Sequence, residues 1–438
     1  MTAPAPTPPR ALVLGGYGLI GAAAMRALMA AGFEVTGVGR SETAARRVLP
    51  QARWHFADVT TLSTTDWQAL CADVDVVVNA AGALQDGGGT DLAAIHTTLP
   101  ARLSAALVGS DTRLIQISAA GVSEEASTAF FRTKARGDAA IVAAGIDHVI
   151  LRPTLVIGAA AYGGTALLRA VAALPLIDWR ILEDTPVQTI ALSDLTAAIV
   201  TAAKGDIAAG TIADLTEAEA RPFPELIRDL RHWQGLPAPG LSLPLPGFML
   251  SLVGKGADLL GLFGWRSPLR STALTALSDG ITGDPTHWLA AGGRPCRALN
   301  DTLSDLPTTV QERWFSRLFL LFPLVIATLS LFWLASGLIG LAQFPAAVEV
   351  LTSRGGSAGL ATVAVAAGIF LDLALGLMVL WRRGLRPACL GMIAVTLGYL
   401  GAGTLVAPDL WADPLGPFVK TLPAAVLALI PLALEDTR

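Results

Sequence analysis

Ala11-Leu12-Val13-Leu14 is a short apolar run that stops at Gly15, and glycines recur at Gly18 and Gly21 before an alanine-rich stretch from Ala22 to Ala31. A buried strand, a glycine turn and a helix in that register leave few folds open. Gly15 permits the tight turn, Gly18 lets a pyrophosphate approach the backbone, and Gly21 lets the helix pack closely on the strand. The N–H groups of the helix's first turn then face the phosphates, helped by the helix dipole. Dinucleotide-binding positions are therefore expected at Gly15, Gly16, Tyr17, Gly18, Leu19, Ile20 and Gly21. The competing reading is a glycine-rich turn in an unrelated α/β protein.

Further strands follow at residues 33–40, 53–59, 74–82, 113–118 and 148–151, with helical stretches at 92–108 and from about 130 to 144. The near-continuous apolar run Val74-Asp75-Val76-Val77-Val78 reads as a buried parallel strand, and ligands bind at the C-terminal ends of such strands. The small residues Ala80, Ala81 and Gly82 at that end leave room for an adenosine and its ribose. Asp58 and Val59 close the third strand and are placed beside the adenine. Arg40 ends the second strand, where an acid would bind a free ribose 2′-OH and repel a 2′-phosphate. A guanidinium does the reverse, so NADP(H) is expected over NAD(H). The alternative is that Arg40 is a solvated strand-end residue.

The order Gly15-x-x-Gly18-x-x-Gly21, Asp58-Val59, Asn79-Ala80-Ala81-Gly82, Ser118, Lys134 and Arg152-Pro153 resembles the short-chain dehydrogenase/reductase superfamily. More narrowly, it is similar to the atypical and extended members that include NmrA-like proteins and the NAD(P)-binding accessory subunit of respiratory complex I. The segment from Val187 to Leu195 matches the strand-to-helix passage that precedes their C-terminal lobe. The resemblance covers residues 11–235 and implies a Rossmann fold with a parallel sheet and a small C-terminal lobe. It also implies that Ser118 and Lys134 serve the nicotinamide side, as catalytic and cofactor-binding residues.

One departure carries weight. The family's Tyr-x-x-x-Lys places a phenol four residues before the lysine; here that residue is Phe130. Phenylalanine has no proton to give, so the usual acid/base is missing. Tyr162, Ser123 or a bound water are the candidates to replace it. The domain either reacts without the phenol or binds the dinucleotide with little hydride transfer.

Charged residues make up only 15% of the chain, and the mean hydropathy is +0.57. The apolar excess is concentrated beyond residue 318. Residues 318–342, 355–380 and 387–408, and the shorter 421–434, which extends back to Pro417 if Lys420 snorkels to the interface, read as four membrane spans, since a crossing takes roughly 20 apolar residues. Arg313 and Arg317 precede the first span and Arg382, Arg383 and Arg386 crowd the second loop, whereas the third loop carries Asp409 and Asp413. That bias predicts a multi-pass protein of the inner (plasma) membrane with the Rossmann domain and C-terminus cytoplasmic. Asp372 interrupts the second span, with Thr396, Tyr399 and Thr404 as its expected partners; it marks a pathway or pins two helices together. The runs from Thr309 to Phe315 and from Asp413 to Pro423 resemble the DoxX-like membrane domain, over about residues 245–436.

Residues 1–10 are Pro/Ala-rich, read as disordered and lack a signal peptide's apolar core. Residues 236–313 read as a linker. Within it, Phe248, Met249, Leu252, Val253, Leu259, Leu260 and Phe263 share one helical face and Ser251, Lys255 and Asp258 another. That amphipathic helix either closes the substrate lobe or lies on the bilayer. Residues 314–436 are the DoxX-like bundle. The net charge of −4 without a basic block argues against nucleic acid. Cys71, Cys296 and Cys389 lack metal-site spacing and suggest no disulfide framework.

Taken together, these readings predict a membrane-anchored NADP(H)-dependent oxidoreductase acting on a hydrophobic substrate or quinone. The rivals are a non-catalytic redox sensor or assembly factor for a membrane-protein complex, and a transporter regulated by nucleotide.

Overall fold

The computed structural model describes residues 7–85, 91–265, 269–414 and 416–434. The chain divides into two compact units, Met1–Ala257 with Pro268–Arg313, and Asp258–Ser267 with Trp314–Arg438.

The first unit is built on the strands β1 (Arg10–Leu14), β2 (Glu34–Gly39), β3 (Arg53–Phe56), β4 (Val76–Asn79), β5 (Arg113–Ile117) and β6 (His148–Pro153), joined by a seventh, Thr211–Leu215. All pair in parallel, in the order Thr211–Leu215, β6, β5, β4, β1, β2, β3. The chain runs outward from β1 to β3, then crosses back to β4 and runs the other way. The gap at the C-terminal ends of β1 and β4 is therefore the topological switch point, where such sheets bind ligands. Alternation along each strand feeds two cores. Val13, Val78 and Ile115 pack with Met25 and Leu28 of helix α1 (Leu19–Ala30) on one face. Leu12, Leu14, Val77 and Leu114 pack with Trp67, Leu99 and Leu103 on the other.

The strand at β1 begins at Arg10, and the Pro9 carbonyl already accepts from Glu34 N, so pairing reaches into the stretch read as disordered; residues 1–6 lie outside the described residues. A helix follows over Phe223–Trp233. Before it, the fully buried Glu217 side chain accepts from Thr189 N, Thr189 Oγ1 and Leu299 N, and pairs with Arg221 at 2.7 Å, which holds the chain extended.

Much of the stretch expected as a linker is part of the first unit. Trp288 joins the sheet core, and Leu299 and Leu303 pack with Phe223, Leu226 and Leu230. Arg297 pairs with Asp194 at 2.9 Å. The apolar periodicity here is short and broken by Pro and Gly, so its burial was not legible locally.

In the second unit, four helices are long and apolar enough to cross a membrane: Val310–Ala342, Ala358–Met378, Arg382–Val406 and Pro417–Leu434. Between the first two lies a further helix, Phe344–Thr352, which the sequence had given no element. Phe322, Leu329, Trp333, Leu375, Val379, Cys389, Met392 and Ala428 form the bundle's core. Asp372 is not held by the third span. Ser336 of the first span donates to its Oδ2 at 2.6 Å. Thr396 and Thr404 instead donate to the carbonyls one turn back, at Met392 and Leu400, and the Tyr399 ring packs edge-on against Phe418. Arg354 of the first loop pairs with Asp409 of the third at 3.0 Å, so both loops sit at one end of the bundle. Of the DoxX-like run before the fourth span, Leu415 lies outside the described residues, as do residues 435–438.

Candidate functional site

Gly15 follows β1 at a φ of +69°, in the left-handed region that glycine enters without strain. A Cβ there would also stand 2.8 Å from the Ala80 carbonyl oxygen at the end of β4. Gly18 N donates to Gly15 O at 2.9 Å, closing the turn. A Cβ on Gly21 would lie 2.2 Å from Gly15 O, so helix and turn touch backbone to backbone. Gly18 caps α1 without a side chain and no acid stands in its first turn, so the helix's positive end is left open to a ligand. Gly16 N donates to Val38 O, and the Tyr17 ring packs over Gly39, whose Cβ would meet it at 2.3 Å. Leu19 and Ile20, the first residues of α1, are half-buried.

Arg40 and Asp58, read separately from the sequence, face each other with 3.7 Å between Nη1 and Oδ2. Thr60 donates to Asp58 through both its N–H, at 3.0 Å, and its hydroxyl, at 2.7 Å. These bonds, assisted by the Arg40 guanidinium, hold the Asp58 carboxyl below the usual range. Val59, next in the chain, packs on the second sheet core.

At the end of β4 the Ala80 N–H donates to Leu14 O, and Ala81 N donates to Oδ1 of the buried Asn79. Gly82 lies beside His96: a Cβ on Gly82 would be 3.4 Å from Nε2. Ala83 N donates to that same Nε2 at 3.2 Å. His96 Nδ1 is 3.1 Å from Thr133 Oγ1, which donates onward to Ala129 O at 2.8 Å. The hydrogen-bond pattern therefore assigns the proton to Nδ1. Burial, with Lys134 nearby, depresses the His96 pKa to about 3, so the ring is neutral at ordinary pH. No role for His96 is legible in the sequence. Its only signal was a histidine in an apolar helical stretch, which here winds as a π-turn at Ala94–Thr98.

The helix Ala129–Ala143 carries Phe130, Lys134 and Asp138 one turn apart. Lys134 is buried, donates from Nζ to Ile117 O at 3.0 Å and stands 5.6 Å from the Phe130 ring centre. Burial lowers its pKa to about 8. The His96 ring meets Phe130 edge-on, with 5.4 Å between centres. Ser118 is buried too, and its hydroxyl donates to Asp138 Oδ2 at 2.8 Å. The same oxygen accepts from Arg152 Nε and Nη2, at 3.1 and 3.0 Å. Burial pushes the Asp138 carboxyl up, against the pull of Ser118 and Arg152. Asp138 was also missed, although four residues after Lys134 it shares that residue's helix face.

Neither named replacement for the phenol is poised as one. Tyr162 is 59% exposed at the start of the helix Gly163–Ala172. Ser123 donates to Glu125 at 2.5 Å within its own loop.

A doubly wound parallel sheet with a glycine turn at its switch point places the first unit in the Rossmann class. Residues 11–174 match the NAD dependent epimerase/dehydratase family, and residues 330–429 match the DoxX-like family. The chain carries an epimerase/dehydratase domain of the extended short-chain dehydrogenase/reductase type and a C-terminal DoxX-like domain.

Among solved structures, the Bordetella bronchiseptica enzyme WbmG in complex with NAD and UDP is 16% identical, with a TM-score of 0.53, over 71% of this chain and 97% of that one. The UDP-glucose 4-epimerase of Thermus thermophilus in complex with NAD is 17% identical, with a TM-score of 0.50, over 70% and 99%. That of Thermotoga maritima with UDP-glucose is 14% identical, with a TM-score of 0.50, over 67% and 96%. At these identities the likeness is one of fold. No curated protein matches the chain.

Proposed function

We propose that the chain is a membrane-anchored NAD(P)(H)-binding oxidoreductase acting on a hydrophobic acceptor, with NADP(H) preferred. The observation that carries the reading is the glycine cradle: at Gly15 and Gly21 any Cβ would strike backbone, and the α1 N-terminus behind them is uncapped. Gly15, Gly16, Tyr17, Gly18, Leu19, Ile20 and Gly21 would hold the pyrophosphate. Asp58, Val59, Ala80, Ala81 and Gly82 would surround the adenosine, and Ser118 and Lys134 would line the nicotinamide side. Solved relatives of this fold were determined with NAD, which supports a nucleotide cofactor.

The NADP(H) preference rests on Arg40. Its partner Asp58 already answers part of its charge across 3.7 Å, so the discrimination is modest. Arg40→Asp is expected to weaken NADPH binding about tenfold, ~1.4 kcal/mol, and to strengthen NADH binding. An unchanged ratio of the two affinities would remove Arg40 from the account.

Phe130 narrows the acceptor. Reducing a carbonyl makes an alkoxide that needs a proton from the protein, and the phenol that gives it is absent. A quinone accepts a hydride to form a hydroquinone anion, which takes its second hydrogen as a proton from water. A bound reduced nicotinamide would supply that hydride; this chain's residues would bind, orient and exclude competing water. A quinone is therefore the acceptor class favoured over a lipid-like carbonyl.

The second reading is a non-catalytic redox sensor or assembly factor for a membrane complex. It is favoured by the engagement of Ser118 with Asp138 and of Lys134 with Ile117 O. The test is the full chain in detergent with NADPH and a short-tailed quinone, following loss of the reduced-nicotinamide absorbance. Turnover in wild type supports the oxidoreductase. Binding without turnover, with turnover gained only in Phe130→Tyr, sinks it and leaves the sensor.

The proposed setting is the inner membrane, with the Rossmann unit, the Arg382–Arg386 loop and the C-terminus cytoplasmic. The arginine distribution supports that orientation, and the Arg354–Asp409 pair supports the first and third loops sharing one side.

A further inference from the structure

The helix Gly247–Leu262 presents its apolar residues outward. Phe248 and Leu252 are 73% and 69% exposed, and Met249, Val253, Leu259, Leu260 and Phe263 are exposed as well. At 100° per residue, these seven side chains fill an arc of about 140°. The opposite side is a narrow seam of small residues, Gly254 and Ala257, the only two of the helix that are buried. Gly254 sets that seam: a Cβ there would be 3.1 Å from Leu274 and 3.3 Å from the Ser271 backbone in the neighbouring helix Ser271–Ser278. Ser251 and Lys255 border the apolar arc, and Lys255 is exposed. A helix meant to close a lobe would turn its large apolar side chains, not its glycine and alanine, toward the protein.

What covers the arc is indicated by where the helix ends. Its last residues, with Phe263, Gly264 and Trp265, belong to the unit of the four candidate spans. Trp265 Nε1 donates to Leu380 O at 2.5 Å, and Arg382 N donates to Phe263 O at 3.2 Å. Leu380 lies two residues beyond the span Ala358–Met378, and Arg382 opens the arginine-rich loop Arg382, Arg383, Arg386. The indole of Trp265 also meets Phe322 of the first span edge-on, at 6.1 Å. A tryptophan at a span's end beside clustered arginines marks the level of the lipid headgroups. The helix is thus tied at its C-terminus to the membrane–water boundary.

We propose that Gly247–Leu262 is an interfacial helix whose apolar arc is covered by the bilayer, at the headgroup–acyl boundary on the arginine-loop side. Lys255, at the edge of the arc, reaches up to lipid phosphates while its stem stays in the apolar zone. The occupant is lipid rather than a second protein because the helix's last residues are bonded to the span ends and Lys255 borders the arc. The inference stands whether or not the dinucleotide site turns over.

Because the spans anchor the chain regardless, the test must read local depth. The full chain, as Cys296→Ala, carries an environment-sensitive thiol fluorophore at Leu252→Cys or at Lys255→Cys. It is reconstituted in vesicles of equal parts phosphatidylcholine and phosphatidylglycerol. Labelling of the Cys296→Ala parent is subtracted, and retained NADPH binding checks the first unit's fold. At position 252, lipids with a nitroxide high on the acyl chain should quench the probe. Aqueous iodide should quench it roughly threefold less than at position 255. Equal iodide quenching at both positions would place the helix in water and overturn the proposal. Protection from iodide without quenching by the nitroxide lipid would mean a protein covers the arc, and would overturn it as well.

Discussion

Gly21→Val is expected to abolish dinucleotide binding at micromolar protein and to destabilise the first unit by about 3 kcal/mol. The reason is geometric. The new Cβ would lie 2.2 Å from Gly15 O and 2.8 Å from its carbonyl carbon, and both are backbone atoms of the turn. No rotamer change relieves such a clash, so either α1 lifts from β1 or the Gly15 turn opens. Either movement misaims the helix's first N–H groups, and affinity should fall roughly a hundredfold or more, ~2.7 kcal/mol. Gly164→Ala is the matched control: its Cβ meets nothing within 4 Å, and both melting and binding should stay as in wild type. Thermal melting of the detergent-solubilised chain and a nicotinamide-fluorescence titration read the two effects. A Gly21→Val protein that bound NADPH normally would remove the glycine cradle from the functional account.

The second large effect is with pH. His96 titrates at about 3 in the folded chain against 6.5 ordinarily, so the unfolded chain takes up a proton through a range where the folded one refuses it. Its contribution is full above pH 6.5, falls as the pH drops, and is gone by about pH 3. Between pH 7 and pH 5 the loss is expected to be about 2 kcal/mol. Asp138 works in the opposite sense, because its raised carboxyl pKa makes the folded chain the better proton binder near the carboxylate range. His96→Gln separates the two, since its amide oxygen can still accept from Ala83 N without titrating. That variant should lose well under half as much stability over the same interval. Equal slopes for the two proteins, by chemical denaturation at pH 7 and pH 5, would exclude His96 as the source.

How much of this was legible beforehand depended on the range of the pattern. The glycine turn, the buried strand Val76–Asn79 and the four long apolar helices are each encoded within one contiguous stretch, and each is where the sequence placed it. What escaped were pairings between distant residues. Asp138 meets Ser118 from a different element, and His96 finds Ala83 and Thr133 only once the sheet is wound. Asp372 was sought by partners on the third span and is held instead by Ser336 on the first. Periodicity says which face of a helix is apolar, but not which neighbour that face meets. The segment beyond residue 268 was misread for the same reason, because Trp288 reaches the sheet core and Leu299 packs with Phe223, Leu226 and Leu230, all distant in the chain.

The bond from Ser336 to Asp372 has a consequence for biogenesis. A carboxyl entering lipid alone in a lone helix faces a penalty of about 3 kcal/mol. Ser336 leaves the ribosome 36 residues earlier, on the helix Val310–Ala342, so its hydroxyl is already in the bilayer when Asp372 arrives. The second span can therefore leave the insertion machinery docked against the first. Insertion of the two spans as a docked pair, rather than one at a time, is the expected consequence.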